Sequence, residues 1–356
     1  MRVALVYDHL NKIGGAEQVL VAFAELYPEA DWYTSFWNPR TAPFSKGWKV
    51  HSFPYLHSHH EWFPWVMPFI FESYDLRTYD LVISIGSAAA KGVITGPQTI
   101  HLNYCLTPTR YLYSHKDEYL SNPIYRLIGK YLRKWDTVAS TRPDTMIAIS
   151  TQVKNRIKKY YNRDVEIIFP PVDIHKYTPN MPARTVLAGG YFLTVSRLVP
   201  YKKINILIQA ANLAQVNLVV IGEGSEYKKL KNLAGPTVNL LGYIPDQELP
   251  SYYQNSLAYL HGGEEDFGIS MCESLASGRP VIAYGQGGSK DIVIPGKNGV
   301  LLESNTIASF AKAMKEFDTM SFVAADCIAS ASKFDKTVWK RKIKERIKDL
   351  WIKNQK

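Results

Sequence analysis

Residues 258–273 read Ala258-Tyr259-Leu260-His261-Gly262-Gly263-Glu264-Glu265-Asp266-Phe267-Gly268-Ile269-Ser270-Met271-Cys272-Glu273. A short apolar run meets two glycines, then three carboxylates, then a glycine that opens a helical stretch. That order is the signature of a buried strand turning sharply into a helix. In a doubly wound α/β sheet such a turn lies at the carboxyl end of the strand, where ligands bind and where free N–H groups of the helix start suit phosphate. Glu265 stands in the loop and Glu273 lies roughly one turn into the helix, on its inward side. Carboxylates so placed accept hydrogen bonds from sugar and ribose hydroxyls. The same two side chains also fit a surface pair with capping roles.

Working outward, apolar strands alternate with helical patterns, the grammar of βαβ units around a parallel sheet. The second half predicts strands at 191–195, 218–221, 238–241, 258–260, 281–284 and 300–302, with helices at 204–214, 226–234, 269–277 and 307–317. The first half predicts strands at 3–7, 31–35, 81–84, 100–104, 146–150 and 166–169, with helices at 16–27 and 151–161, the latter N-capped by Ser150. Prolines at 170, 171, 179 and 182, then Gly189-Gly190, mark the connection between the halves. The expected domains are 1–182 and 183–335, both α/β and Rossmann-like. A terminal amphipathic helix over 336–356 follows from the spacing of Trp339, Ile343, Ile347 and Leu350.

Two cations complete the chemistry of the second half. Arg197 directly follows strand 191–195, and Lys202 precedes the next helix, so both can reach the mouth of that sheet. Arg suits bidentate contact with phosphate and Lys a point-charge contact, and fixed cations can offset charge developing on a departing diphosphate. Taken singly, each is an ordinary surface residue. Gly222-Glu223-Gly224 is a third loop at the same end; it lacks the third glycine of a dinucleotide fingerprint, which argues against a dehydrogenase.

Composition bounds the class. The chain has 356 residues, 46% of them hydrophobic and 13% aromatic, enough for two packed cores. Cys105, Cys272 and Cys327 fit neither a disulfide framework nor a metal spacing, so buried free thiols in a reducing compartment are expected. Residues 1–7 reach Asp8 too soon for a secretory leader, and the most apolar stretch, 62–71, is half the length of a membrane span. The net charge of +10 is concentrated: 126–163 carries +8 and 333–356 carries +7, leaving −5 elsewhere. Such runs fit an anionic membrane surface, a nucleic acid, or solvated helix faces.

Taken together, Arg197, Lys202, Glu265 and Glu273 resemble the donor-binding set of glycosyltransferase family four. The likeness runs over nearly the whole chain. It implies the GT-B fold, two Rossmann-like domains facing a cleft, and transfer of a hexose with retention of configuration. By this resemblance Arg197 and Lys202 hold the donor diphosphate, Glu265 contacts the transferred sugar, and Glu273 contacts the ribose. Phe267, Gly268 and Ile269 line the phosphate and sugar site, Ile244 within Gly242-Tyr243-Ile244 lies beside the nucleobase, and Gly14-Gly15 matches an N-terminal glycine-rich turn. Tyr79 to Ser84, Ala90 to Val93 and Thr107 to Tyr111 resemble a branch of bacterial mannosyltransferases that uses GDP-mannose in polysaccharide assembly. That branch has a histidine before its Thr-Pro pair, where this chain has Leu106, so the sugar and the acceptor contacts stay open. Lys91 and Arg110 are acceptor-side candidates, each equally suited to a structural salt bridge.

No Asp-x-Asp and no histidine cluster with ligand spacing is present, so no metal and no cofactor beyond the nucleotide-sugar co-substrate is expected. His57, His59 and His60 sit with Trp62, Phe63 and Trp65 in what reads as an aromatic packing or acceptor loop. The expected partners are a nucleoside-diphosphate sugar, a glycan or lipid-linked acceptor and an anionic membrane surface, at the cytoplasmic face of the plasma membrane. Two other enzyme readings share the fold, a sugar-nucleotide epimerase and a phosphorylase. A basic nucleic-acid-binding module is the non-enzyme alternative; no zinc-finger, RNA-recognition or helix-turn-helix signature supports it.

Overall fold

The computed structural model describes residues 1–11, 14–53, 64–114, 123–179 and 190–354. The expected boundary at 182/183 and the histidine-aromatic loop through Phe63 lie outside them. Two compact units form, Met1–Pro171 together with Trp339–Lys356, and Val172–Val338.

The first unit is built on seven parallel strands: β1 (Val3–Tyr7), β2 (Asp31–Thr34), β3 (Lys49–Ser52), β4 (Leu81–Gly86), β5 (Ile100–Cys105), β6 (Thr145–Ala148) and β7 (Glu166–Ile167). Their order is β3-β2-β1-β4-β5-β6-β7, so chain direction across the sheet reverses between β1 and β4. β1, β4 and β5 are buried at every residue, as strands covered on both faces must be. β3 is an addition to the predicted set. It is the edge strand Lys-Val-His-Ser, half exposed, with no apolar run to announce it. A helix over Pro123–Ala139 is also added, and the apolar stretch 62–71 runs into a helix at Met67–Glu72.

The terminal helix, Lys336–Asn354, joins this unit through Trp339, Ile343 and Ile347, all buried. Trp339 is 2% exposed, lies edge-on to Phe23 at 4.7 Å between centroids, and donates its indole N–H to the Tyr104 hydroxyl at 3.3 Å. An aromatic group of that size brings both apolar area and a satisfied polar tip. Lys340 pairs with Glu25 at 2.8 Å and Arg346 with Glu166 at 2.7 Å, so part of the basic charge of this helix is spent on structure.

The second unit repeats the plan with β8 (Phe192–Val195), β9 (Leu218–Ile221), β10 (Val238–Gly242), β11 (Tyr259–His261), β12 (Val281–Tyr284) and β13 (Gly299–Leu302), all parallel. The order β10-β9-β8-β11-β12-β13 puts its reversal between β8 and β11. Helices Ile204–Ala214 and Ile307–Lys315 pack apolar faces onto this sheet, with Leu207, Ile208, Ala211 and Phe310 in its core.

Backbone closeness shapes the loop after β8. A Cβ on Gly222, whose φ is +135°, would come within 1.9 Å of the Ser196 carbonyl, and one on Gly224 within 2.3 Å of the Leu198 carbonyl. Leu198 N–H donates to the Glu223 carbonyl at 2.8 Å, locking the two loops together. Gly222→Ala should therefore lower the stability of the second unit by about 2 kcal/mol, through strain at a positive φ and the displaced loop. A urea midpoint unchanged from wild type would contradict this packing.

Candidate functional site

The carboxyl ends of β8 and β11 flank the point of reversal in the second sheet, where open α/β sheets leave a crevice for ligands. The loop from β8 carries Arg197 and Lys202, and the loop from β11 carries Glu265. Gly263 makes their meeting possible: a Cβ there would stand 3.2 Å from the Lys202 Cα and 3.0 Å from the Tyr201 carbonyl. The Lys202 ammonium contacts Glu265 Oε1 directly, the two side chains 13% and 19% exposed. Arg197 is exposed and donates from Nη2 to the Tyr201 hydroxyl at 3.1 Å, and the Lys202 ammonium lies 5.4 Å from the centre of the same ring. Tyr201 thus sits between the two cations.

Glu265 is fixed through its backbone as well. Its carbonyl accepts the Gly288 N–H at 2.8 Å, and Glu265 and Gly287 form an isolated parallel bridge, joining the loops after β11 and β12. Phe267 is buried edge-on to Phe334 at 5.4 Å. Gly268 takes φ +105° just before the helix Ile269–Ala276, a conformation that favours glycine and that opens the helix N-terminus behind the loop. Ile244 is half-buried two strands away, after β10.

Glu273 occupies a different environment. Its carboxylate accepts hydrogen bonds from the Tyr253 hydroxyl at 2.8 Å and the Tyr177 hydroxyl at 3.0 Å, and the residue is 6% exposed. Burial pushes its carboxyl above the usual glutamate range, against the two hydroxyls that favour the carboxylate. Neither tyrosine stands out in the sequence as a site residue. A third residue that sequence reasoning passes over is His261, the last of β11. It is 4% exposed, with Nε2 at 3.7 Å from Glu265 Oε1 and without a hydrogen-bond partner. A histidine ending an apolar strand four residues before a loop carboxylate was the available signal.

The remaining predicted residues belong to the first unit. Gly14 and Gly15 lead into the helix Gly15–Leu26 after β1. The carboxylate beside Gly14 is Glu17, whose Oε2 would stand 3.0 Å from a Cβ there. Asp8, just after β1, turns to the loop after β4, its oxygens accepting the N–H groups of Ser87 at 2.9 Å, Ala88 at 3.0 Å and Ala90 at 2.8 Å. Lys91 is 4% exposed and donates to Asp136 at 2.6 Å and to the Ala88 carbonyl at 2.6 Å; its geometry is that of a buried structural ion pair. Asp136 also accepts from Thr109, Tyr113 and Tyr161, at 2.7, 3.1 and 2.8 Å, and so anchors the loop that holds half-buried Arg110.

Two parallel-sheet, Rossmann-like units, one of them with an arginine, a lysine and a glutamate at its point of reversal, define a class: doubly wound α/β proteins, whose sheets leave a ligand crevice at the carboxyl ends of their strands. Residues 187–334, which lie almost wholly in the second unit, match the family described as Glycosyl transferases group 1. The chain is 30% identical over 186 residues to an uncharacterized glycosyltransferase of Methanocaldococcus jannaschii, covering 50% of this chain and 49% of that protein. It is 38% identical over 109 residues to a GDP-mannose-dependent alpha-mannosyltransferase of Mycobacterium tuberculosis, covering 30% and 29%. The chain spans about half or less of the length of these relatives. Among solved structures, HepE of Anabaena in complex with UDP has the same fold, with TM-score 0.75 and 18% identity over 98% of this chain and 100% of that one.

The raised carboxyl of Glu273 has a consequence for stability. A carboxyl whose folded pKa lies above its unfolded one contributes stability below the ordinary glutamate range and loses it as pH rises through the folded value. Glu273→Gln removes that titration and keeps an acceptor for a tyrosine hydroxyl. Its thermal midpoint should gain on wild type as pH climbs from 4 toward 8, on the order of a few degrees. A difference that stays flat across that window would show that Glu273 does not titrate as described.

Proposed function

We propose that the chain transfers a hexose from a nucleoside-diphosphate sugar to a glycan or glycolipid acceptor, with retention of configuration and without a metal ion. The observation that carries this is the Lys202 to Glu265 contact beside Arg197, at the point of reversal of a sheet within the stretch that matches the glycosyl transferases group 1 family. When the bond from anomeric carbon to phosphate oxygen breaks, negative charge grows on the leaving diphosphate. Arg197 answers it with a planar fork and Lys202 with a point charge, both already held at the sheet mouth. Glu265 faces the transferred sugar. The leaving phosphate oxygen accepts the acceptor proton, which accounts for retention without a protein nucleophile.

Mannose from GDP-mannose is the donor this reading assigns, supported by the mannosyltransferase relative from Mycobacterium tuberculosis; the UDP complex of the Anabaena structure is the reason to test uridine donors beside it. Hydrolysis and transfer of GDP-mannose, UDP-glucose and UDP-N-acetylglucosamine, with chelator present throughout, is the deciding measurement. Arg197→Ala should lower turnover about 100-fold or more on the preferred donor, with a smaller effect on donor affinity. Near-normal turnover in that variant, or turnover that requires added magnesium or manganese, would overturn the assignment.

The acceptor side points to a membrane. No helix among the described residues is long and apolar enough to cross one. The helix Pro123–Ala139 instead shows Leu127, 71% exposed, and Tyr131, 48% exposed, one turn apart, alongside exposed Arg126, Lys130 and Lys134. Apolar and basic groups exposed on one helix fit an anionic leaflet, each basic residue contributing on the order of 1 kcal/mol. Other cations of the same run are committed elsewhere: Arg142 pairs with Glu72 at 2.6 Å, and Arg163 donates to the Ser140 carbonyl at 2.7 Å. A first unit resting on the cytoplasmic face would confine enzyme and lipid-linked acceptor to one surface. Co-sedimentation should favour anionic over neutral vesicles, weaken with salt, and fall in Leu127→Glu. Equal and negligible binding to both at low salt would remove the membrane from this reading.

A further inference from the structure

We propose that His261 is a positioning residue for Glu265, which receives the carboxylate when an anionic ligand draws Lys202 away. The inference rests on the donor-binding reading of the Arg197, Lys202 and Glu265 set and goes beyond it, because it assigns a role to a side chain behind that set.

One carboxylate oxygen has two donors within reach. Glu265 Oε1 is in contact with the Lys202 ammonium, and His261 Nε2 lies 3.7 Å from the same atom. Lys202 and Glu265 keep 13% and 19% of their side-chain surface, while His261 keeps 5% and stands behind them at the end of β11. Its Nε2 has no hydrogen-bond partner. Buried polar atoms of this kind are costly, and those that persist call for an explanation. The imidazole is held neutral, since burial and the Lys202 charge oppose its protonation more than Glu265 favours it. A neutral ring with its proton on Nε2 is a donor aimed at Oε1.

A diphosphate at the mouth of the sheet competes with Glu265 for Lys202. As the ammonium turns to phosphate, Oε1 loses its strongest partner and a carboxylate is left in a confined site. Closing the gap to His261 by less than about 1 Å makes a hydrogen bond of ordinary length. The carboxylate is then fixed against the strand end, and its other oxygen is presented to the sugar. In this arrangement Lys202 and Glu265 neutralise each other in the resting protein, and the histidine lets the pair separate without stranding the glutamate.

The experiment is a titration of the wild-type protein with GDP and with UDP, followed by the imidazole nitrogen resonances of His261, which are assigned by their loss in His261→Gln. Calorimetry of the same mixtures reports binding separately. The expected result is binding of one nucleotide with a clear shift of the His261 Nε2 resonance, and no such shift in Glu265→Ala. In turnover, His261→Phe should lower kcat about tenfold with donor KM changed less than about twofold, and His261→Gln, whose amide N–H reaches the same place, should restore most of it. Nucleotide binding that leaves the His261 resonances unmoved, or a Phe variant as active as wild type, overturns this inference alone. Absence of binding by either nucleotide to the wild-type protein overturns the donor-binding reading and this inference with it.

Discussion

The contact between Lys202 and Glu265 is the interaction that ties together the mouth of the second sheet. It joins the two loops that leave the sheet on either side of its reversal, and Gly263 favours their close approach, because a side chain there would press on the backbone of Lys202 and Tyr201. Sequence, packing and charge act here in one step. A glycine lets two loops touch, the touching loops bring opposite charges together, and the pair occupies the place where a doubly wound sheet receives its ligand. Opposite charges in a partly enclosed site stabilise each other in the absence of ligand, yet each remains available to a stronger partner. On the proposed function, a diphosphate is such a partner for the lysine, and a hydroxyl-bearing sugar for the glutamate.

Each unit also holds polar groups that are not exchangeable. Glu273 takes two tyrosine hydroxyls, and Asp136 takes a lysine, a threonine and two tyrosines. A buried carboxylate met by two to four donors is a fixed point of the structure, since removing one partner leaves charge with no solvent to receive it. The difference between the two kinds of site is exposure and partner count. It separates Lys202, which meets a partly exposed carboxylate at a sheet mouth, from Lys91, which is enclosed.

Most of the fold was legible in the sequence because buried parallel strands are continuous apolar runs. Val3–Tyr7, Leu218–Ile221 and Val281–Tyr284 have the bounds their sequence predicts. β3 was not legible, since an exposed edge strand reading Lys-Val-His-Ser carries no such run. The helix Pro123–Ala139 was hidden for the opposite reason: its charges drew attention to the segment as a basic run and masked its helical period. At the site, spacing located Arg197, Lys202 and Glu265, because strand ends and glycines fix where loops emerge. Spacing could not find Tyr177 and Tyr253 as partners of Glu273, since 96 and 20 residues separate them from it and only the folded chain brings them together.

The two sheets share a topology and differ in what stands at their reversal points. In the first unit the carboxyl end of β1 presents Asp8, whose oxygens already accept three backbone N–H groups from the loop after β4. Gly86 makes room for it, as a Cβ there would lie 2.4 Å from Asp8 Oδ2. In a phosphate-binding sheet those N–H groups would point at the ligand; here a side chain of the protein has taken the anion's place. A second anion at that mouth would be repelled by the carboxylate and would find the loop amides engaged. In the second unit the corresponding loops offer Arg197 and Lys202, cations whose side chains reach the surface or lie close to it. On the proposed function, this difference favours the second sheet over the first as the seat of a nucleoside diphosphate. One topology, used twice in a chain, thus carries an engaged carboxylate at one reversal and two cations beside a glutamate at the other.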